Sequence, residues 1–82
     1  MIILIWVKKM KNYIEILREL REDRDLKQKD IAEILKTTQQ VYSRYENGIN
    51  EIPIHHLIIL ADYYKVSVDY ILGRTENPKM QK

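Results

Sequence analysis

Five polar side chains in the stretch 39–47 have a spacing that places them on one face of a helix. They are Gln39, Gln40, Ser43, Arg44 and Asn47, at positions i, i+1, i+4, i+5 and i+8. The set holds amides, a hydroxyl and a guanidinium but no carboxylate. A glutamine can pair with N6 and N7 of adenine, and an arginine with O6 and N7 of guanine. Because a solvated helix more often mixes Glu with Lys, this composition indicates a surface that reads base edges.

A helix that carries this face needs a start, an end and a buried side. Thr38 can cap the first turn by accepting a hydrogen bond from a backbone N–H group, and Gly48 can end the helix in the left-handed conformation. Tyr42 and Tyr45 share the side opposite the polar face. We therefore predict a short helix between these caps with its polar side turned outward.

A second short helix precedes this one across a tight turn at 36–37. In that helix Ile31, Ala32 and Leu35 recur on one face, which indicates a single buried side. The stretch 28–48 is therefore predicted to form two helices joined by a turn, with the second helix as the functional surface.

Three further helices are predicted around this unit. The first begins after Asn12, which has Glu15 at the spacing of a capping box. Their expected bounds are Tyr13 to Arg24, Pro53 to Tyr64 or Lys65, and Val68 to Leu72, the last capped by Ser67 and stopped by Gly73. The predicted fold class is all-α, a compact five-helix domain with a short apolar N-terminal arm.

Composition limits the possible functions. A chain of 82 residues suits one small domain, and the absence of cysteine excludes a disulfide framework and thiolate zinc sites while fitting a cytoplasmic location. The net charge of +2 is modest, so a nucleic-acid interface must depend on where the charges lie. No nucleophile paired with a base and no glycine-rich phosphate loop is found, so we expect no enzyme, no metal and no cofactor.

The first residues, 1–11, form an apolar run from Met1 to Val7 followed by lysines. The run is far shorter than the roughly 20 residues of a membrane span and lacks the features of a secretory signal. Three interpretations stay open: an arm packed on the domain or on a second subunit, a leader upstream of a natural start at Met10, and a surface anchor. The domain would then occupy 12–73, and a polar tail that is expected to fray would occupy 74–82.

The chain resembles the phage-repressor-like helix-turn-helix family of the Cro/C1 type, also called Xre-like. The resemblance covers about residues 13 to 73. It is carried by Leu26, Gln28, Ile31-Ala32, Leu35, Ser43-Arg44-Tyr45-Glu46, Asn47-Gly48, Pro53, Leu57, Leu60-Ala61, Val66-Ser67-Val68 and Leu72-Gly73. It implies a lambda-repressor-like fold that binds double-stranded DNA with its second helix-turn-helix element in the major groove.

The same resemblance implies roles for individual residues. Base reading is expected from Gln39, Gln40 and Arg44, with Val41 against a thymine methyl. DNA backbone contacts are expected from Gln28, Thr38, Ser43 and Asn47, with Lys27 and Lys36 as further candidates. Gln28 would also brace Gln39. Arg21 would pair with Glu46 as a structural buttress between the first helix and the end of the recognition helix.

Three departures from the family pattern have expected consequences. Asp25 and Lys36 stand where the family usually has Gly, and Lys27 stands where it usually has a capping residue. These changes are expected to lower stability by about 1 kcal/mol for each lysine. The loop 49–52 has no Lys or Arg and carries Glu51, which predicts weak non-specific binding to the DNA backbone.

The function predicted from these observations is a transcriptional regulator, most simply a repressor, that reads a short palindromic operator as a homodimer. The candidates for the dimer surface are Tyr63, Val66, Tyr70 and Ile71. A protein regulator is a further expected partner, and no membrane is. The alternative is a protein-interaction module on the same fold, of antitoxin or anti-repressor type. A positive rim from Lys27, Lys29, Lys36 and Arg44 would favour DNA.

Overall fold

The computed structural model describes residues 12–79, which form five α-helices and no strand. The helices are α1 (Tyr13–Glu22), α2 (Gln28–Ile34), α3 (Gln39–Glu46), α4 (Ile54–Tyr64) and α5 (Val68–Ile71). The predicted all-α, five-helix architecture is therefore confirmed. The arm at 1–11, the question of a start at Met10 and residues 80–82 lie outside the described residues.

Side-chain caps fix the start of three helices. The Asn12 carboxamide accepts from the Glu15 N–H at 3.0 Å, the Thr38 hydroxyl accepts from the Val41 N–H at 3.2 Å, and the Ser67 hydroxyl accepts from the Tyr70 N–H at 3.0 Å. Each satisfies a donor that the first helical turn leaves without a partner. The beginnings of α1, α3 and α5 thus follow from local sequence.

The helix ends differ from the predictions by one or two residues. Helix α1 ends at Glu22 rather than Arg24 because the Arg24 and Asp25 N–H groups bond to carbonyls only three residues back. Asp25 then takes a left-handed conformation, with φ of 54°. Helix α4 starts one residue after Pro53, whose φ of −64° and ψ of 151° are extended, and α5 ends at Ile71.

Every helix contributes a completely buried apolar or aromatic side chain to one core. These residues are Leu17, Ile31, Tyr42, Leu60 and Ile71, each with 0% exposure. Helix α1 packs against both α3 and α5, while α2 packs on α3 and α4 on α5. Helix α1 therefore joins the helix-turn-helix unit to the α4–α5 pair.

The described part of the tail is hydrogen-bonded to residues at the start of α5. The Ser67 N–H donates to the Pro78 carbonyl at 2.9 Å, and the Arg74 N–H donates to the Asp69 carbonyl at 2.9 Å. These bonds return the chain to the start of α5. Fraying of the tail stays a prediction.

Candidate nucleic-acid interface

The outward face of α3 carries the polar residues that the sequence placed there. Gln39, Gln40, Arg44 and Asn47 are exposed, and Ser43 is half-buried. Together with Ile49 they line one shallow, open depression. The structure thus brings five predicted site residues to a single surface, which we call the α3 surface.

The inward face of α3 explains why that surface has no carboxylate. Helix α3 contains one acidic residue, Glu46, and its exposure is 0%. Tyr42 and Tyr45 are buried beside it, with their rings edge to face and 6.2 Å between centroids. Since the only acid of this helix points inward, the outward side presents hydrogen-bond donors and neutral amides.

Glu46 is held by side chains from α1 and α2. Arg21 donates from Nε to Oε2 at 2.8 Å and from Nη2 to Oε1 at 3.0 Å, and Gln28 donates from Nε2 to Oε1 at 3.1 Å. Two parallel bonds between a guanidinium and a carboxylate give a geometrically specific contact. The end of α3 is therefore fixed in angle as well as in position, as expected of the buttress.

The electrostatics of this cluster follow from its burial. Burial by itself raises the pKa of Glu46, but hydrogen bonds from Arg21 and Gln28 favour the charged form, and the net pKa lies below its usual range. Burial, reinforced by Glu46, raises the pKa of Tyr42. The Tyr42 hydroxyl forms no hydrogen bond within the described residues, so it lowers the pKa of Glu46 less than Arg21 does. Glu46 is thus a stable buried anion.

Two details of this cluster differ from the sequence interpretation. The Gln28 amide donates to Glu46, a brace on the end of α3 that the sequence did not predict, while its expected contact with Gln39 stays a prediction. Arg18, interpreted as part of a solvated face, donates from Nη2 to the Glu46 carbonyl at 2.7 Å. The available signal was its position three residues before Arg21, which places both on one side of α1.

The Arg18 contact also satisfies the end of the helix. The last carbonyls of a helix lack internal partners and carry partial negative charge, so a guanidinium is stabilising there. Arg18 lies 3.8 Å from the Glu46 carboxylate through Nε as well, with its side chain 42% exposed. It therefore binds the backbone of α3 while remaining partly in solvent.

The other predicted contacts lie around the α3 surface. Lys27, Lys36 and Thr38 are exposed, and Val41 is half-buried against the core, which limits how much of it a thymine methyl could contact. Asn47 Nδ2 donates to Ser43 Oγ at 3.2 Å, which joins the two candidates for backbone contact. Exposed Lys29 adds charge beside Gln28, while Glu33 and Glu51 are exposed as well.

The left-handed residues are distributed over the helix connections. Lys36, in the turn before α3, has φ of 56°, and Lys65, after α4, has φ of 58°. The strain at Lys36 was expected from the sequence, whereas that at Lys65 was not. The Lys27 side chain does not cap α2. The Asp30 carboxylate compensates by accepting a hydrogen bond from the Lys27 N–H at 2.8 Å.

The four candidates for a dimer surface separate into two pairs. Tyr63 is 44% exposed and Tyr70 is half-buried, so both present area to a partner. Val66 is 5% exposed and Ile71 0%, because both pack into the core. Placing Val66 and Ile71 on the surface was therefore wrong. Large exposed apolar residues nearby are Ile54, Ile58, Ile59 and Leu72.

His55 and His56 lie side by side at the start of α4. Their ring centroids are 4.3 Å apart, and the His56 ring also meets Tyr45 edge to face at 5.8 Å. Burial, and then the neighbouring His55, lowers the pKa of His56. Within residues 12–79, no three His, Asp or Glu side chains come together in a way that would hold a metal ion. Nor does that part of the chain contain a helix with the length and hydropathy to cross a membrane.

Comparison with known proteins places this geometry in context. The family profile described as helix-turn-helix matches residues 17–71. The chain is 41% identical over 66 residues to the uncharacterized HTH-type transcriptional regulator YobD of Bacillus subtilis, a match that covers 80% of this chain and 59% of YobD. It is 35% identical over 63 residues to the HTH-type transcriptional regulator ImmR of the same organism, covering 77% of this chain and 50% of ImmR.

A third relative is the uncharacterized HTH-type transcriptional regulator YqaE of Bacillus subtilis, 32% identical over 68 residues, with 83% of this chain and 59% of YqaE covered. The chain thus matches half to three fifths of the length of these curated relatives. No solved structure gives a significant match. With the profile match over 17–71 and the exposed polar face of α3, the chain belongs to the Cro/C1-type, or Xre-like, helix-turn-helix family of DNA-binding transcriptional regulators.

Proposed function

We propose that this protein binds a specific sequence of double-stranded DNA by placing the α3 surface in the major groove. The observation that carries the proposal is the inward turn of Glu46, which leaves an exposed face without carboxylates on α3. A carboxylate on that face would repel phosphates and accept only from cytosine N4 or adenine N6. The exposed amides and guanidinium fit the acceptors of adenine and guanine.

Individual residues then take the following roles. Gln39, Gln40 and Arg44 read base edges, because they are exposed and long enough to reach beyond the helix. Ser43 and Asn47, which bond to each other, contact the DNA backbone at the far end of α3. Thr38 lies at the beginning of the helix, where N–H groups favour a phosphate. Lys27 and Lys36 supply the nearest exposed charge.

Specificity requires a second copy of the module. One recognition helix reads only a few base pairs, so two half-sites about one turn apart are read by a dimer. Exposed apolar side chains on α4 and after α5, among them Ile58, Tyr63 and Leu72, supply apolar area for self-association. Binding to a palindrome that overlaps a promoter would make the protein a repressor, and a reporter gene that carries the selected duplex tests this.

The alternative is that the same fold binds another protein. It is favoured by the exposed apolar residues of α4, since Ile54 is 73% exposed and Ile58 49%. The loop 49–52, which lacks Lys and Arg and carries an exposed Glu51, also offers little to a phosphate backbone. The two hypotheses differ in one expected result: only the DNA-binding hypothesis expects the isolated protein to select a duplex.

The test is selection of bound duplexes from a random library with the full chain, repeated with Gln39→Ala and Arg44→Ala. We expect each variant to lose preference at one base pair per half-site, worth about 10-fold to 100-fold in affinity for that base. The matched control is Arg74→Ala, which removes an exposed arginine beyond α5 and should leave base preference unchanged.

Two outcomes contradict the proposal. If the full chain enriches no sequence, DNA reading by α3 fails and the protein-interaction hypothesis gains. If Gln39→Ala and Arg44→Ala weaken binding to all duplexes equally, these residues contact the backbone instead.

The dimer is tested by sedimentation of the free and the DNA-bound protein. We expect Tyr63→Ser to lose self-association without loss of folding.

A further inference from the structure

Ile49 is an exposed apolar residue on a surface otherwise made of polar groups. Its side chain is 69% exposed, and it lines the α3 depression beside Arg44, Ser43 and Asn47. The other large exposed apolar side chains within residues 12–79 belong to α4 or follow α5. Ile49 therefore does not belong to the apolar surface that would serve a dimer.

The backbone holds Ile49 in a defined place relative to α3. The Ile49 N–H donates to the Arg44 carbonyl at 2.9 Å, and the Asn50 N–H donates to the same carbonyl at 3.2 Å. Gly48 makes this closure possible through its φ of 74°, and it packs so near α1 that an added Cβ would lie 3.0 Å from Ile14 Cδ1. The position of Ile49 is thus fixed by two neighbouring elements.

We infer that Ile49 contacts the 5-methyl group of a thymine and contributes to the choice of operator. This inference rests on the proposed reading of DNA by the α3 surface. Within the major groove the thymine methyl is the apolar group among the base edges, and apolar side chains are the groups that contact it. An isoleucine in a polar docking surface gains from such a partner, because contact removes both apolar groups from water.

Ile49 and Val41, the residue first expected to contact a thymine, differ in the exposure of their side chains. Val41 is half-buried and packs against the core, so less of its side chain is free for a ligand. Ile49 is more exposed and lies at the other end of α3. A methyl read by Ile49 would therefore be several bases from one read beside the start of the helix.

The experiment replaces each thymine of the selected duplex in turn by deoxyuridine, which lacks only the methyl group. For the unaltered protein we expect one position per half-site at which the loss of the methyl lowers affinity about fourfold. Ile49→Ala should bind both versions of that position equally. Val41→Ala should keep the fourfold difference there. Ile54→Ala, a substitution of an equally exposed isoleucine on α4, should keep it as well.

Each outcome decides between the proposals. If removing the methyl group lowers the affinity of Ile49→Ala and of the unaltered protein by the same factor at every thymine, the proposed role of Ile49 is overturned. A selected duplex that contains no thymine overturns it as well. Uniform weakening of all duplexes by Ile49→Ala assigns the side chain to the sugar-phosphate backbone and also overturns it. Failure of the unaltered protein to select any duplex refutes the proposed function itself. Because Ile49 and Ile54 are exposed, circular dichroism should show both of these alanine variants folded.

Discussion

The helix-turn-helix half and the α4–α5 half of this domain are stabilised by different kinds of contact. In the first, the buried carboxylate of Glu46 accepts from Arg21 and Gln28, and the Glu46 carbonyl accepts from Arg18. In the second, Leu60, Ala61 and Tyr64 of α4 are buried among apolar neighbours that include Ile71. The first half therefore adds directional hydrogen bonds to its share of the apolar core, whereas the second is stabilised mainly by non-directional packing.

The two kinds of contact constrain the orientation of a helix differently. A helix that reads base edges must keep its angle, and hydrogen bonds fix angles because they weaken steeply when bent. Apolar packing sets distance but tolerates rotation, and the same α4–α5 half leaves Ile58 and Tyr63 exposed. Arg24 connects the halves, since it donates to the Tyr64 carbonyl at 3.2 Å and lies 4.9 Å from the Tyr64 ring centroid.

The largest expected effect comes from breaking the polar cluster. Arg21→Met removes the main partner of Glu46 and leaves the buried charge with one hydrogen bond, from Gln28, and the partly exposed Arg18 at 3.8 Å. We expect the free energy of unfolding at neutral pH to fall by about 3–5 kcal/mol, measured by urea denaturation followed by circular dichroism. A loss below about 1 kcal/mol would show that water or Arg18 replaces Arg21.

Two variants control that measurement. Arg21→Met combined with Glu46→Leu removes both charges and should recover most of the lost stability, because the penalty arises from the unpaired ion. Arg74→Met alters an exposed arginine outside the cluster and should change stability by no more than about 0.5 kcal/mol.

A smaller effect is expected from pH. Because the pKa of Glu46 in the folded protein lies below its unfolded value of about 4.3, the stability it contributes is complete above that value. This stability is lost as pH falls through the folded pKa. The stability difference between the unaltered protein and Glu46→Gln should therefore shrink between pH 5 and the acid limit of folding, as measured by urea denaturation.

Leu60→Ala supplies the contrast from the apolar half. It removes a side chain with 0% exposure and should lower stability by about 2–5 kcal/mol. Since no titrating group is removed, this loss should be the same at each pH. A difference for Glu46→Gln that stays constant with pH would contradict a lowered pKa for Glu46.

The smallest effects come from the two left-handed lysines. Lys36→Gly and Lys65→Gly should each raise the free energy of unfolding by about 0.5–1 kcal/mol, because glycine adopts positive φ without strain. Lys36 precedes α3, whereas Lys65 lies between α4 and α5. We therefore expect Lys36→Gly alone to weaken DNA binding and flatten its salt dependence, measured by fluorescence anisotropy. Equal weakening by both would remove Lys36 from the interface.

Much of the fold follows from patterns that act within a few residues. Asn12, Thr38 and Ser67 cap the helices they were predicted to cap, since a cap needs only a side-chain oxygen and an N–H group three residues on. The outward face of α3 is likewise a matter of helical period, so its five polar residues share one surface as expected. What they bind stays a prediction.

The contacts that the sequence did not predict join residues far apart in the chain. Val66 and Ile71 were placed on the surface, but apolar side chains alone do not tell which of them the neighbouring helices cover. The bond from Gln28 to Glu46 joins residues 18 positions apart, and no local pattern indicated it. The sequence predicted a solvated side chain for Arg18, because its partner, the carbonyl of Glu46, is 28 residues away in the chain.

The sequence by itself determined five helices, the caps of three of them and the amide-rich face of α3, because each depends on spacing and on backbone groups close in the chain. Only the tertiary structure decided that Arg21 and Gln28 bond to the buried carboxylate of Glu46 while Arg18 bonds to the carbonyl of the same residue. Only it showed that Ile49 lines the depression beside Arg44. The reason is that such contacts depend on the angles at which helices pack, and those angles are set by the whole core at once.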